Sequence, residues 1–137
     1  MEPGSFRRSL RPDASAAGAA RLELERLSSQ VEADVVERSR LVVTEVVTNS
    51  VRHARLTPPQ LIELQVSMSP ELLRIEVTDN GPGFAALAAG PDRGNGASDG
   101  WGLWLVDQLT DRWGVDGRRG TCVWLEFDCA PEQLSAA

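Results

Sequence analysis

From Glu32 to Ala54 the chain runs without a glycine or a proline, and the way this stretch folds decides the class of the whole. Residue preference points to a strand: Leu41-Val42-Val43-Thr44-Glu45-Val46-Val47-Thr48 is rich in the β-branched side chains that fit a pleated sheet. Spacing points elsewhere. Val35, Val36, Val42, Val43, Val46 and Val47 fall in pairs about every 3.6 residues, the repeat of one helix face. The run is also far longer than the roughly 5–6 residues of an ordinary strand. It reads as one amphipathic helix, in which burial of the valine face outweighs a modest propensity penalty.

The flanking segments carry the other period. Leu61 to Met68 alternates Ile62, Leu64, Val66 and Met68 with Glu63, Gln65 and Ser67. Leu73 to Val77 alternates Leu73, Ile75 and Val77 with Arg74 and Glu76. A repeat of two marks half-buried strands, and the short link Ser69-Pro70-Glu71 predicts an antiparallel hairpin. Upstream, Phe6, Arg8 and Leu10 alternate with Ser5, Arg7 and Ser9, an edge-strand signal. Pro12-Asp13 reads as a break and an N-cap, opening a helix from Asp13 to about Gln30 with Ala16, Ala20, Leu24 and Leu27 on one face. Ala85 to Gly100 is mostly Ala, Gly, Asp and Ser, which predicts a long functional loop or lid. Leu103, Val106 and Leu109 then resume helical spacing. Arg112 to Val115 and Thr121 to Asp128 read as two more strands, with Thr121, Val123, Leu125 and Phe127 on a shared face. The order β-α-α-β-β-lid-α-β-β predicts an α/β (α+β) two-layer sandwich, with helices on one face of a mixed, mostly antiparallel sheet. A length of 137 residues fits a single domain over 1–137, with its core at about 5–128, the lid at about 85–100 and a tail at 129–137.

Composition removes several functions. All 14 basic residues are arginine; there is no lysine. That excludes a P-loop nucleotidase, a protein kinase with a strand lysine at its phosphates, and Schiff-base chemistry. A nucleotide handled by this chain needs arginine, a metal or backbone amides to balance its phosphates. The net charge of −6 speaks against a nucleic-acid binder, which requires a basic face. Cys122 and Cys129 on one strand point to opposite faces, roughly 20 Å apart, which predicts two free thiols. There is no membrane-spanning apolar run and no hydrophobic signal core at the N-terminus, so a cytoplasmic protein is expected.

Three constellations carry chemistry. On a helix, Glu45, Asn49, and Arg52 or His53 stack along one face. This sets a carboxylate able to act as a general base, an amide oxygen suited to Mg²⁺, and a cation in a row. The same row also suits an ordinary solvated stripe. Asp79-Asn80-Gly81-Pro82-Gly83-Phe84 follows directly on a strand. Its carboxylate can accept a hydrogen bond from an exocyclic amine, and its glycines permit close approach; it is equally dense in turn formers. Gly100-Trp101-Gly102-Leu103 lies where a loop becomes a helix, a natural phosphate site or a hinge.

Taken together, in this order and at these spacings, the three resemble the GHKL (Bergerat-fold) ATP-binding superfamily. Glu45 to His53 resembles the N box, Asp79 to Phe84 the G1 box, Gly100 to Leu103 the G2 box, and Gly120-Thr121 the terminal Gly-Thr. The likeness runs from about Ser5 to Asp128 and is greatest to the short RsbW-like branch of anti-sigma-factor serine/threonine kinases. The resemblance implies ATP and Mg²⁺ as cofactors. It makes Asp79 the partner of the adenine amine, with Thr121 supporting it, and gives Gly81 and Gly83 the shaping of the adenine pocket. It makes Asn49 the Mg²⁺ ligand, sends Arg52 to the phosphates, has Gly100, Gly102 and Leu103 supply lid amides, and makes Glu45 the general base. His53, the only histidine, is expected to pack or cap near the end of the N-box helix.

The function implied is phosphorylation of a small antagonist protein of the anti-sigma-antagonist (STAS) type, with a sigma factor as a possible second partner. A homodimer through the first strand and helix is also implied. The alternative is a non-catalytic, nucleotide-responsive binding module; Trp101, where related short proteins often carry Arg, and Asp99 beside the lid motif motivate it. A detached histidine-kinase catalytic domain and a gyrase-like ATPase fit less well, the latter because such enzymes draw a lysine from an adjoining domain.

Overall fold

The structure is a computed structural model and describes residues 4–53, 60–79, 104–116 and 121–129. Its elements run β1 (Phe6–Leu10), α1 (Ala16–Glu25), a 3-10 turn (Arg26–Ser29), α2 (Ala33–His53), β2 (Ile62–Ser69), β3 (Leu72–Asp79), a helical segment at 104–109 (α3), β4 (Arg112–Asp116) and β5 (Thr121–Asp128). The strands form one sheet in the order β1-β2-β3-β5-β4. All four pairings described are antiparallel. The expected alternation is realised residue by residue. Ile62, Leu64 and Val66 of β2, Leu73, Ile75 and Val77 of β3, and Val123, Leu125 and Phe127 of β5 are all buried on one face.

Against that face lie the helices. The valine pairs of α2 settle the conflict between propensity and spacing: Val35, Val36, Val42, Val43, Val46 and Val47 are all buried. Together with Leu24 and Leu27 they join the inner sheet face in a single apolar cluster. At about 25 cal/mol per Å² of apolar surface removed from water, each such side chain contributes about 1.5–3 kcal/mol, well above the few tenths that a β-branched residue costs a helix. The β1 edge position holds as well. Leu10 is buried, and Arg8 on the same side pairs with the buried carboxylate of Glu23 on α1.

The start of α1 differs from the sequence expectation. The helix begins at Ala16 rather than Asp13, with Ser15 as its N-cap residue. Asp13 does not cap; its carboxylate accepts hydrogen bonds from the backbone N–H and the hydroxyl of Ser15, at 2.9 and 2.5 Å. A short side chain bonding two residues ahead makes an Asx turn, which competes with helix initiation. At its other end α1 passes into the 3-10 turn, so the expected helix to Gln30 is two elements.

The outer face of the sheet is a ladder of charge. Arg74 pairs with Glu76 at 3.1 Å and with Glu126 at 2.6 Å, and Arg112 pairs with Glu126 at 2.8 Å and Asp128 at 2.5 Å. Arg74 also lies over the Trp124 ring, 5.0 Å from its centroid. That ring in turn covers Gly114, where a Cβ would meet Trp124 Cζ2 at 2.5 Å. Cys122 lies on this outer face and Cys129 beside the core; both are free thiols, as expected. Among the described residues no helix is long and apolar enough to cross a membrane.

Candidate functional site

Asp79 is the last residue of β3, two places beyond Val77 on the core face, and is only 2% exposed. A carboxylate continuing an apolar face is costly unless it has a polar partner. Directly across the ladder stands Thr121, the first residue of β5, 1% exposed. Both buried polar residues thus occur together at one end of the two central strands, where the alternation ceases to be apolar.

The direction of α2 brings the N-box face to that same end. Near its start, the Arg38 guanidinium lies over the Phe127 ring, 5.8 Å from the centroid, which fixes the first part of the helix at the far end of β5. From Arg38 to Asn49 a helix rises about 16 Å, and from Phe127 back to Thr121 a strand covers about 20 Å. Asn49 therefore comes level with the Asp79–Thr121 end. The sequence agrees, since α2 ends at His53 and the chain re-enters the sheet at Ile62, where β2 faces the last residues of β3.

Within α2, Asn49 is 2% exposed, Glu45 half-buried and Arg52 exposed. The row runs from the edge of the valine face outward. The Nδ2 of Asn49 is buried and has no hydrogen-bond partner, a condition that native interiors rarely tolerate without a use. An amide held this way on the buried face of α2, near its C-terminal end, suits a polar ligand entering from the Asp79–Thr121 end of the sheet. Its oxygen is the hard, neutral donor that Mg²⁺ accepts alongside water and phosphate.

Gly81, Gly83, Gly100, Gly102 and Leu103 lie outside the described residues, as do the expected lid and the side chain of His53. The segment that follows the G2-like motif is described: residues 104–109 are helical, with Val106 in the core and Trp104 at the surface.

Two further polar residues have roles the motifs do not announce. Glu23 is buried and takes both Arg8 of β1 and Arg26, the latter at 2.9 Å. Its signal in the sequence is a carboxylate inside the stripe Ala16, Ala20, Leu24, Leu27. Arg38 donates to the backbone carbonyl of Leu109 at 2.8 Å, across 71 residues; no local pattern marks it.

Comparison with known proteins agrees with this fold. The sequence profile of the histidine kinase-like ATPase domain matches residues 10–127. No curated protein matches the chain significantly. Among solved structures, the crystal structure of the RsbU and RsbW domains of a Mycobacterium tuberculosis protein is similar, with a TM-score of 0.70 at 19% identity. The similarity covers 93% of this chain but 33% of that one, so the chain spans about a third of that structure. With a matching profile over most of its length, an antiparallel five-stranded sheet and helices on one face, the chain belongs to the histidine kinase-like ATPase family, a nucleotide-binding fold.

Proposed function

We propose that the protein is a cytoplasmic, Mg-ATP-dependent serine/threonine kinase that phosphorylates a small partner of the STAS-type antagonist class and also holds a sigma factor. The observations that support this reading are the buried Asp79 facing the buried Thr121 at one sheet end, and the buried Asn49 of α2 with its Nδ2 unsatisfied. Asp79 accepts the adenine amine and Thr121 supports it. Mg²⁺ held by Asn49 supplies charge neutralisation at the phosphates. Arg52, together with the backbone of Gly100, Gly102 and Leu103, adds to that, while Gly81 and Gly83 shape the adenine pocket. Glu45, half-buried one turn before Asn49, takes the proton of the partner's hydroxyl. The hydroxyl oxygen bonds to the γ-phosphorus as the bond to the β-γ bridging oxygen breaks and ADP departs. With no lysine in the chain, phosphate charge falls to the metal, Arg52 and amides. A homodimer through the edge strand β1 and α1 belongs to the same reading.

The test is incubation with γ-labelled ATP and a cognate antagonist. Label should appear on a serine or threonine of the antagonist, and Glu45→Ala should abolish transfer while leaving ATP binding intact. No transfer to a folded, bound antagonist contradicts the kinase claim. The second reading, a binding module switched by nucleotide without transfer, is favoured by Trp101 in the middle of Gly-x-Gly and by Asp99 beside it. Under it, Glu45→Ala leaves partner regulation unchanged.

A further inference from the structure

A cavity of about 430 Å³ lies between the start of β1 and the 3-10 turn that follows α1, a volume ordinary for a small-molecule site. It stands at the end of the sheet away from Asp79. Phe6 pairs there with Val66, whereas Leu10 and Ile62 mark the other end of the same strand pair, beside the last residues of β3. The cavity is therefore separate from the candidate nucleotide site, and the kinase reading does not use it.

Its lining has two parts. Phe6, Leu27 and Met68 give an apolar wall; Leu27 is buried, and Phe6 and Met68 pack against the core from the sheet edge. Gly4, at φ 85°, seats the first residues of β1 against Met68, where a Cβ would come within 3.2 Å of the Met68 carbonyl oxygen. Arg7, Arg8 and Arg26 bring three guanidinium groups, and Glu23 is the one carboxylate among the described lining residues. The cavity thus holds two positive charges in excess, in a chain whose net charge is −6.

Glu23 orders this charge. Its side chain is buried, which a carboxylate sustains only when paired and hydrogen-bonded. It takes Arg8 from β1 on one oxygen and Arg26 on the other, the latter at 2.9 Å. One buried anion therefore holds two guanidiniums, each with N–H donors to spare. Arg7 adds a third, whose hydrogen bond goes to the neutral amide oxygen of Gln65 at 3.3 Å. Guanidinium forks held in place by another group are suited to a planar oxyanion, and an apolar wall beside them favours a ligand with an apolar body.

We infer that this cavity binds a small organic anion of the aryl- or alkyl-carboxylate class. The carboxylate meets Arg7, Arg8 and Arg26, and the apolar body lies against Phe6, Leu27 and Met68. The inference does not depend on the ATP-binding reading. β1 and α1 also carry the homodimer of that reading, so binding is measured on the full chain in the assembly it forms and counted per chain.

The experiment is calorimetry with phenylbutyrate, with its neutral amide phenylbutyramide, and with inorganic phosphate, thermal unfolding being recorded in parallel. One phenylbutyrate should bind per chain. The amide keeps the body and loses the charge, and phosphate keeps the charge and loses the body; each should bind about tenfold more weakly or worse. Arg26→Gln should weaken phenylbutyrate about tenfold, the worth of a charge-assisted hydrogen bond, and leave the amide unchanged. If Arg26→Gln does not fold, Arg7→Gln, which leaves both Glu23 pairs intact, should give the same selective loss. Equal affinity for acid and amide, equal affinity for acid and phosphate, or acid binding that these arginine changes leave untouched overturns the proposal, as does failure of the acid to bind.

Discussion

Replacing Asn49 by leucine should make the protein more stable and stop it working. The side chain is 2% exposed and its Nδ2 has no hydrogen-bond partner. A buried donor left unsatisfied costs about 1–3 kcal/mol. Leucine has nearly the same branched shape, removes that cost, and is a better helix former by a few tenths of a kcal/mol. Against this stands overpacking, about 1 kcal/mol for a slightly larger side chain in a filled core. The balance is a gain of about 1 kcal/mol, or a rise in Tm of about 3–5 °C for a domain of this size. Thermal unfolding followed by circular dichroism, without nucleotide, reads it directly. Saturating Mg-ATP should then reverse the order. Ligand at about 100 times its Kd stabilises wild type by about 2.7 kcal/mol and the leucine variant not at all. A nucleotide-free Asn49→Leu protein that melts below wild type refutes the reasoning, because Asn49 would then be a structural hydrogen-bonding residue rather than one kept for a ligand.

Other substitutions probe the frame around the site. Gly114→Ala places a methyl group 2.5 Å from the Trp124 ring and should destabilise by about 1–2 kcal/mol once the entropic advantage of alanine is subtracted; a second change, Trp124→Val, should recover part of the loss in thermal unfolding. The guanidinium of Arg112, with Arg74 beside it, holds the Glu126 carboxyl below its ordinary range. A carboxylate depressed in the folded state stabilises above its unfolded pKa of about 4.3 and loses that contribution as pH falls through the lower folded value. Stability should therefore fall on acidification below about pH 4.5, and Glu126→Gln should flatten that slope in urea titrations at several pH values. Burial raises the thiol pKa of Cys122 and of Cys129, so both should react with iodoacetamide more slowly than free cysteine at neutral pH and at the same rate once the protein is unfolded.

Much of this fold is legible in the sequence because one face of each element is apolar at a fixed period. Val42, Val43, Val46 and Val47 were a conflict between two rules, and the longer-range rule prevailed because a whole helix face is buried while the propensity penalty is small. The hairpin of β2 and β3 and the shared face of Thr121, Val123, Leu125 and Phe127 follow from the period of two alone. That same period puts Thr121 on the face of Val123, Leu125 and Phe127, but the sequence reading ends the preceding strand at Val77 and leaves Asp79 after it; β3 runs on to Asp79, and its register opposite Thr121 depends on pairing between strands far apart in the chain. The start of α1 departs from the pattern of the sequence because Asp13 satisfies the Ser15 N–H and hydroxyl instead of the helix. Glu23 was visible only as an irregularity in an apolar stripe. The Arg38 bond to the Leu109 carbonyl and the Trp124 cover over Gly114 were not visible, since each joins segments that no local pattern relates.

The central claim is that Asp79 lies at the floor of an adenine pocket. Calorimetry with Mg-ATP on wild type and on Asp79→Asn tests it most directly. The asparagine keeps the shape and loses the charge, and its NH₂ opposes the adenine amine, so affinity should fall by about tenfold to a hundredfold, the worth of a charge-assisted hydrogen bond. Equal affinities for the two proteins would contradict the account.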